Sequence, residues 1–461
     1  MKIKKHFNQP FQMILLLPLL FAGCASKKNA TTGEIKLMTL NPGHFHAALV
    51  QKSMYAGVSS EAFVYAPAGA DVESHLKLIE KYNNREQSPT TWKETVYKGD
   101  DFLEKMLSEK KGNVLVLAGN NQEKTNYINQ AVAAGINVLA DKPMAIDTNG
   151  FILLKSAFET AAAKKVLLYD VMTERFEITN IIQRELAKLN KVFGTLEKGT
   201  AEAPAIRKES VHHFFKYVSG APLIRPAWYF DINQEGNGLV DVTTHLIDLI
   251  QWSSFPGVTL NYKHDINMLT ARRWTTPINR EQFKKATNLT EYPAYLNKAI
   301  TENVLQVYSN GEMNYTIKGI HAKVSVVWNF EAPAGTGDTH FSLMSGTKSN
   351  LIIRQGKEQN YKPVLYIEPV NNDAAYAEVL AKEFTAIQQQ FPGLELKKNK
   401  QGWEIVIPEK YNIGHEAHFA EVAKNYLNYL RNGKLPAWEV PNMLAKYFTT
   451  TQALAIALKT N

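Results

Sequence analysis

Residues 113–140 restrict the possible folds more than any other stretch of this chain. Asn113-Val-Leu-Val-Leu-Ala118 is a continuous apolar run, short for a helix and lacking the alternation of a half-solvated strand. Such a run belongs in a sheet covered on both faces. Gly119-Asn120-Asn121 follows as a turn, residues 123–134 show helical spacing of apolar side chains, and Gly135 marks a helix stop. Residues 136–140 return as a second strand. Strand, helix and strand at this spacing imply parallel strands joined by right-handed crossovers. The same alternation extends outward. Strands are expected at 35–40, 61–65 and 165–169, and helices at 46–55, 71–82, 100–110 and 147–164.

The pattern changes after about Thr173. A helix over 177–189 precedes β-branched and aromatic segments at 314–317, 323–329, 340–344 and 350–354. Strands in succession with few helices between them predict a mostly antiparallel open sheet. Helices over 417–430 and 442–458 close the chain, while residues 262–300 are polar and poorly periodic and receive no assignment. A length of 461 residues exceeds what one core usually supports. The expected fold class is α/β: a doubly wound parallel sheet over 34–172, then an α+β domain over 173–461 with the open sheet, a surface for a homo-oligomer.

The first 33 residues read as targeting sequence. Lys2, Lys4 and Lys5 form a basic start, Met13 to Phe21 an apolar run, and Leu20-Phe21-Ala22-Gly23 leads into Cys24, the only cysteine. The run is shorter than the roughly 20 residues that span a bilayer. The pattern resembles a bacterial lipoprotein signal over 1–23, with Cys24 lipidated and 24–33 as a flexible tether. An exported, membrane-anchored protein on the periplasmic or outer-membrane face is therefore expected. The formal charge of +8 falls to +5 without the three leader lysines, and no basic run follows, so nucleic acid is not an expected partner.

Open parallel sheets bind ligands at the carboxyl ends of their strands. Three such ends carry candidate residues: Asn41-Pro42-Gly43-His44, Ala118-Gly119-Asn120 and Asp141-Lys142-Pro143. The first stands where a dinucleotide fold has G-x-G-x-x-G, and it keeps only the middle glycine, Gly43. The third puts a lysine at a strand terminus, where its charge faces the crevice. Further on, Gly236-Asn237-Gly238 enters an apolar helix on which Asp241, His245 and Asp248, spaced by four and three, share one face. His44 and His46, and His415 with Glu416 and His418, are metal-capable types. No second cluster completes a coordination shell in sequence, so no metal site is expected.

Asp-Lys-Pro after an apolar strand resembles the Glu-Lys-Pro signature of the glucose–fructose oxidoreductase, inositol dehydrogenase and MocA family. Gly236 to Asp248 is similar to its second signature, and residues 169–176, Gly194, Ser345-Gly346-Thr347, Pro436 and Trp438 extend the likeness over roughly 35–461. The resemblance implies a Rossmann-type domain that binds NAD or NADP through the three strand ends, with Asn41, Pro42, Gly43, His44, Ala118, Gly119, Asn120, Asp141, Lys142 and Pro143 as contacts. It implies Lys142 beside the reacting hydroxyl, Asp241 orienting substrate and His245 as acid/base, with His212 and His213 among the substrate contacts. An imidazole that titrates near neutrality and a neighbouring ammonium suit alcohol oxidation. Two departures stand out. The first and third glycines are Asn41 and His46, and the second strand ends Tyr65-Ala66-Pro67 without the acid that holds a ribose hydroxyl.

The function expected is nicotinamide-dependent oxidation of a sugar or polyol hydroxyl. Outside the cytoplasm no comparable nicotinamide pool refills the site, so the cofactor should be held tightly and recycled within each turnover. Transient oxidation that permits glycoside cleavage is one variant. A non-catalytic carbohydrate-binding lipoprotein on the same fold is the competing class, and the altered glycine loop is what that reading predicts. No carboxylate pair stands out for a glycosidase.

Overall fold

The structure, a computed structural model, describes residues 34–218 and 221–460. Cys24, the leader and the tether lie outside the described residues. Six strands form one wholly parallel sheet: β1 (Ile35–Leu40), β2 (Val58–Ala66), β3 (Lys93–Lys98), β4 (Val114–Leu117), β5 (Asn137–Asp141) and β6 (Leu168–Val171). Their order is β3-β2-β1-β4-β5-β6. The order reverses between β1 and β4, and a crevice opens there. All four residues of β4 are buried, as its unbroken apolar sequence requires.

Several boundaries differ from the sequence reading. β3 was not expected, because it is an edge strand whose Lys-Glu-Thr-Val-Tyr-Lys sequence faces water. The helix after β1 ends at Val50 rather than Tyr55, since the Gln51 and Lys52 N–H groups close a turn on Ala48 and Leu49. β6 starts three residues later than expected. Lys165 caps the preceding helix in the left-handed region at φ 57°, which delays the strand.

The second sheet is mixed and mostly antiparallel. Its strands run in the order Ile266–Ile278, Val304–Ile317, Ile320–Glu331, Ile206–Phe215, Thr339–Ser345, Ser349–Arg354, Val364–Pro369, Trp403–Val406 and Glu395–Lys398, with Ile300–Thr301 added beside Val304–Ile317. Ile206–Phe215 and Ile320–Glu331 form its parallel pair. The unassigned stretch 262–300 holds the edge strand Ile266–Ile278 and helix Arg280–Thr287. The strand's outer face is charged and partly solvated, which hid its period. The helix begins with a capping box between Asn279 and Gln282.

The chain's end returns to its beginning. Phe419, Val422, Tyr426 and Leu430 of helix His415–Asn432 pack into the core of the parallel sheet. Helix Glu439–Thr460 divides its buried face, with Met443 and Tyr447 in that core and Ala445, Ala453, Leu454 and Ala457 in the core of the second sheet. Where these parts meet, charge is buried as a knot of ion pairs. Lys446 Nζ lies 2.7 Å from both Asp170 Oδ2 and Asp248 Oδ1. Arg175 grips Asp248 through Nε and Nη2, each at 2.7 Å, and reaches Glu439 Oε1 at 2.8 Å.

Candidate active site

A cavity of about 1040 Å³ opens at the carboxyl ends of β1, β4 and β5, walled on the far side by the second sheet. His44, Gly119, Asp141, Lys142, His212 and His245 all line it. That volume matches a small-ligand or cofactor site. Lys142 lines it directly after the last residue of β5, Asp141. Its ammonium pairs with Asp241 Oδ1, and both side chains are nearly inaccessible to solvent. Burial works against the Lys142 charge, yet Asp241, then Asp141 and Glu235, outweigh it and hold the pKa above the ordinary lysine range.

Asp241 and His245 approach from the side of the second sheet. The Val240 and Asp241 N–H groups donate to Asn237 O in a tight turn, and the helix begins only at Thr243. Gly238 is required there, because a Cβ would stand 1.9 Å from Ser309 O. This late start corrects the expectation of a common helical face. Asp241 leaves the turn toward Lys142, while Asp248, buried on the helix, points into the charged knot. His245 faces the cavity, and its Nδ1 has no hydrogen-bond partner among the described residues. Burial, reinforced by the Lys142 ammonium, pushes its pKa down to about 4, so the imidazole is neutral at physiological pH.

The loop after β1 is divided. His44 faces the cavity, whereas Asn41, Pro42 and Gly43 do not line it. The expected strand-end residues Ala118, Asn120 and Pro143 also stand off it, and Asn120 Nδ2 donates instead to Gln234 Oε1 at 2.7 Å. His46, the first residue of its helix, turns back so that Nδ1 is 2.9 Å from Asp141 Oδ2, and His44 Nδ1 is 3.8 Å from the same oxygen. Burial, and for each ring a neighbouring histidine, holds both imidazoles well below the usual range.

His212 lines the cavity and His213 does not. Both hold Asp338, each Nδ1 at 3.1 Å from one of its carboxylate oxygens, with Lys216 as a third partner. Burial opposes the Asp338 charge, but His212 and Lys216 keep it well below the ordinary carboxylate range. Sequence reading missed Asp338, Lys124 and Glu235. Lys124 is buried behind Lys142, with its Nζ on Asn121 Oδ1 and Asp141 O, and burial lowers its pKa to about 8. Glu235 lines the cavity, where burial first and Asp241 second raise its pKa well above the usual value. A lysine on an apolar helix face was the one available signal, at Lys124.

Residues 227–236, which follow strand Ile206–Phe215 of the second sheet, cross the crevice between β1 and β4. Trp228 Nε1 donates to Asp71 Oδ2 at 2.9 Å, the Asn121 N–H donates to Gln234 O, and Asn121 Nδ2 donates to Glu235 O at 2.7 Å. A Cβ placed on Gly43 would be 2.8 Å from Asp71 Oδ2 and 3.2 Å from Trp228 Cζ2. The Gly43 and His44 N–H groups both donate to Ala118 O, at 3.2 Å each.

Comparison with known proteins adds family and fold. The family model described as "Putative oxidoreductase C terminal domain" matches residues 182–458. A crystal structure of a putative oxidoreductase from Parabacteroides merdae is 55% identical over 93% of this chain and 98% of its own, with a TM-score of 0.91. Levoglucosan dehydrogenase in complex with NADH and levoglucosan shares the fold at 11% identity, covering 93% of this chain and 98% of its own, with a TM-score of 0.59. GenD2 from gentamicin A biosynthesis, in complex with NAD, does so at 14% identity, covering 95% and 98%, with a TM-score of 0.55. No curated protein matches the sequence.

Proposed function

The chain belongs to the putative oxidoreductase C-terminal domain family, and from that premise we propose that it is a nicotinamide-dependent oxidoreductase acting on a hydroxyl of a sugar or polyol. One observation carries the reading: Lys142, paired with Asp241, and the neutral imidazole of His245 face one cavity at the end of β5. Lys142 would stabilise the oxygen of a substrate hydroxyl as its proton leaves, because a buried ammonium favours a developing alkoxide. His245, neutral and with Nδ1 unpaired among the described residues, would accept that proton. Asp241 would fix the ammonium and release part of it to substrate. Asp338, held between His212, His213 and Lys216, adds a carboxylate within reach of further hydroxyls. Levoglucosan dehydrogenase, which shares the fold, is described with NADH and a sugar bound, and this supports both choices of ligand class.

The residues fit such a cofactor unevenly. The cavity has room for a nicotinamide and a substrate beside Lys142. The pyrophosphate end does not fit in this arrangement, because a dinucleotide there needs free N–H groups on the loop after β1. Gly43 and His44 have given theirs to Ala118, and Trp228 and Asp71 cover Gly43. This favours a second reading, a carbohydrate-binding protein that keeps the fold without the redox step. The test is a spectroscopic and mass-spectrometric search for nicotinamide in acid-denatured protein from its native compartment, followed by titration with NADH and NADPH. A stoichiometric or titratable dinucleotide supports the oxidoreductase. A protein that arrives empty and binds neither one is the sugar-binding protein.

We also infer, from residues 1–24 alone, that the chain is exported and lipid-anchored through Cys24. Tight retention and internal recycling of the cofactor follow from that location. Cys24→Ala should move the protein from the membrane fraction to the soluble fraction. An unchanged membrane fraction would refute the anchor.

A further inference from the structure

The loop after β1 and the end of β5 hold two imidazoles and a carboxylate whose ligand atoms all lie within 4.8 Å of one another. We propose that His44, His46 and Asp141 bind a divalent first-row transition-metal ion, leaving coordination positions open toward the cavity. Nothing in the assigned redox chemistry of Lys142, Asp241 and His245 uses this group.

Three features favour metal binding over a closed hydrogen-bond network. First, His46 Nδ1 and His44 Nδ1 converge on the same oxygen, Asp141 Oδ2, at 2.9 and 3.8 Å. One carboxylate oxygen makes one good hydrogen bond here, and the second ring is left beyond hydrogen-bond distance. Among the described residues, His44 Nδ1 has only the His46 backbone N–H as a hydrogen-bond partner, at 3.4 Å. A cation between the three would satisfy all of them at about 2.0–2.2 Å from each ligand atom after small side-chain shifts. Second, His46 and Asp141 are buried and His44 is half-buried, so bulk water does not solvate the cluster in place of an ion. Third, two histidines and one carboxylate on a cavity wall match sites that leave positions for water or substrate, whereas structural sites close all four. The ligand class follows from the donors. Imidazole with carboxylate suits zinc, cobalt, iron or nickel, and an all-oxygen shell for magnesium or calcium is not available from these three residues.

The ligands come from elements that the crossover brings together. His44 and His46 flank Phe45 at the start of the helix after β1, and Asp141 ends β5, two strands away across β4. Lys142 faces Asp241, whose carboxylate keeps the neighbouring ammonium paired. An ion at this site would present a Lewis acid to the same cavity that receives substrate oxygen atoms.

The test uses the untagged mature chain, stripped with a chelator and titrated with Co²⁺. One equivalent should bind with a visible ligand-field spectrum, and Zn²⁺ should abolish that spectrum by displacement. His44→Gln and Asp141→Asn should each weaken Co²⁺ binding by about tenfold or more, as loss of a ligand does. His264→Gln, on an exposed turn, should leave binding unchanged. Far-ultraviolet circular dichroism confirms that each variant is folded. Absence of a Co²⁺ spectrum in the wild type overturns the proposal. So does a spectrum that survives in both ligand variants, or one lost in His264→Gln. Dinucleotide titration is measured separately, so failure of metal binding and failure of the nicotinamide reading remain distinct results.

Discussion

The chain buries charge in two places, and the two are built on opposite plans. In the knot between the two sheets, Lys446 and Arg175 together hold Asp170, Asp248 and Glu439 at 2.7–2.8 Å, with Tyr447 OH on Asp170 at 2.9 Å. Each cation there has two anionic partners, although Asp170 Oδ1 and Glu439 Oε2 have no hydrogen-bond partner among the described residues. In the cavity, histidines are placed without such pairing. His245 Nδ1, His340 Nε2 and His418 Nδ1 have no hydrogen-bond partner among the described residues, and burial depresses all three rings. Paired charges hold elements in register, while unpaired ring nitrogens that face a cavity stay available to a ligand that arrives. The difference separates the ion pairs that join the two sheets from the imidazoles that face the cavity.

Removing one member of each set should separate them by experiment. Lys446→Met leaves Asp170 and Asp248 buried without their cation, and it should cost about 3–5 kcal/mol in urea unfolding, as breaking a buried pair does. Ligand binding in the cavity should follow only the loss of folded protein. The opposite holds for His245→Asn. Its unfolding midpoint should stay near wild type, while turnover of a sugar or polyol substrate falls about 10²- to 10⁴-fold, the usual worth of a general base. A His245→Asn variant that unfolds early and turns over normally would erase the distinction.

Acid provides a smaller and independent test. His75, on helix Ala70–Asn84, is buried with neither ring nitrogen partnered among the described residues, and burial lowers its pKa to about 4. The unfolded chain binds this proton near pH 6.5, so the contribution is fully present above that value and is lost as the pH falls toward 4. The difference corresponds to about 3 kcal/mol at roughly 1.4 kcal/mol per pH unit. His75→Leu should flatten that part of the stability profile between pH 6.5 and 4. An unchanged profile would mean that His75 gains a partner in acid.

How much of this was legible depends on the distance over which each feature is made. The apolar run of β4 and the lysine after β5 are local, and both could be read directly. Asp241 and His245 could be placed near the site, but helix spacing put Asp241 on one face with His245 and Asp248, whereas the helix begins at Thr243 and Asp241 precedes it. Edge strands such as Lys93–Lys98 and Ile266–Ile278 carry charges toward water and lose the alternation that reveals a strand. The convergence of His46 on Asp141 spans 95 residues, and that of Trp228 on Asp71 spans 157. Neither leaves a periodic trace, since each exists only once the crossovers and the second sheet are in place.

The contact between Trp228 and Asp71 gives the smallest expected effect and the one that bears most on the cavity. Asp71 stands over Gly43, where the phosphates of a dinucleotide would cross, and its negative charge repels them. Asp71→Asn removes the charge while its amide oxygen still accepts from the indole, so the cover stays in place. NADH affinity should then rise roughly tenfold at low salt, about the value of one screened charge pair near a surface, and the gain should shrink as ionic strength rises. Trp228→Phe loses the hydrogen bond but keeps an aromatic ring, and it should loosen the cover with a gain that does not depend on salt. If both variants leave NADH binding unchanged while the wild type binds it, the dinucleotide enters by a path that avoids Gly43. The unsatisfied groups would then belong to the substrate alone, and the cofactor would be held by a second set of residues away from the loop after β1.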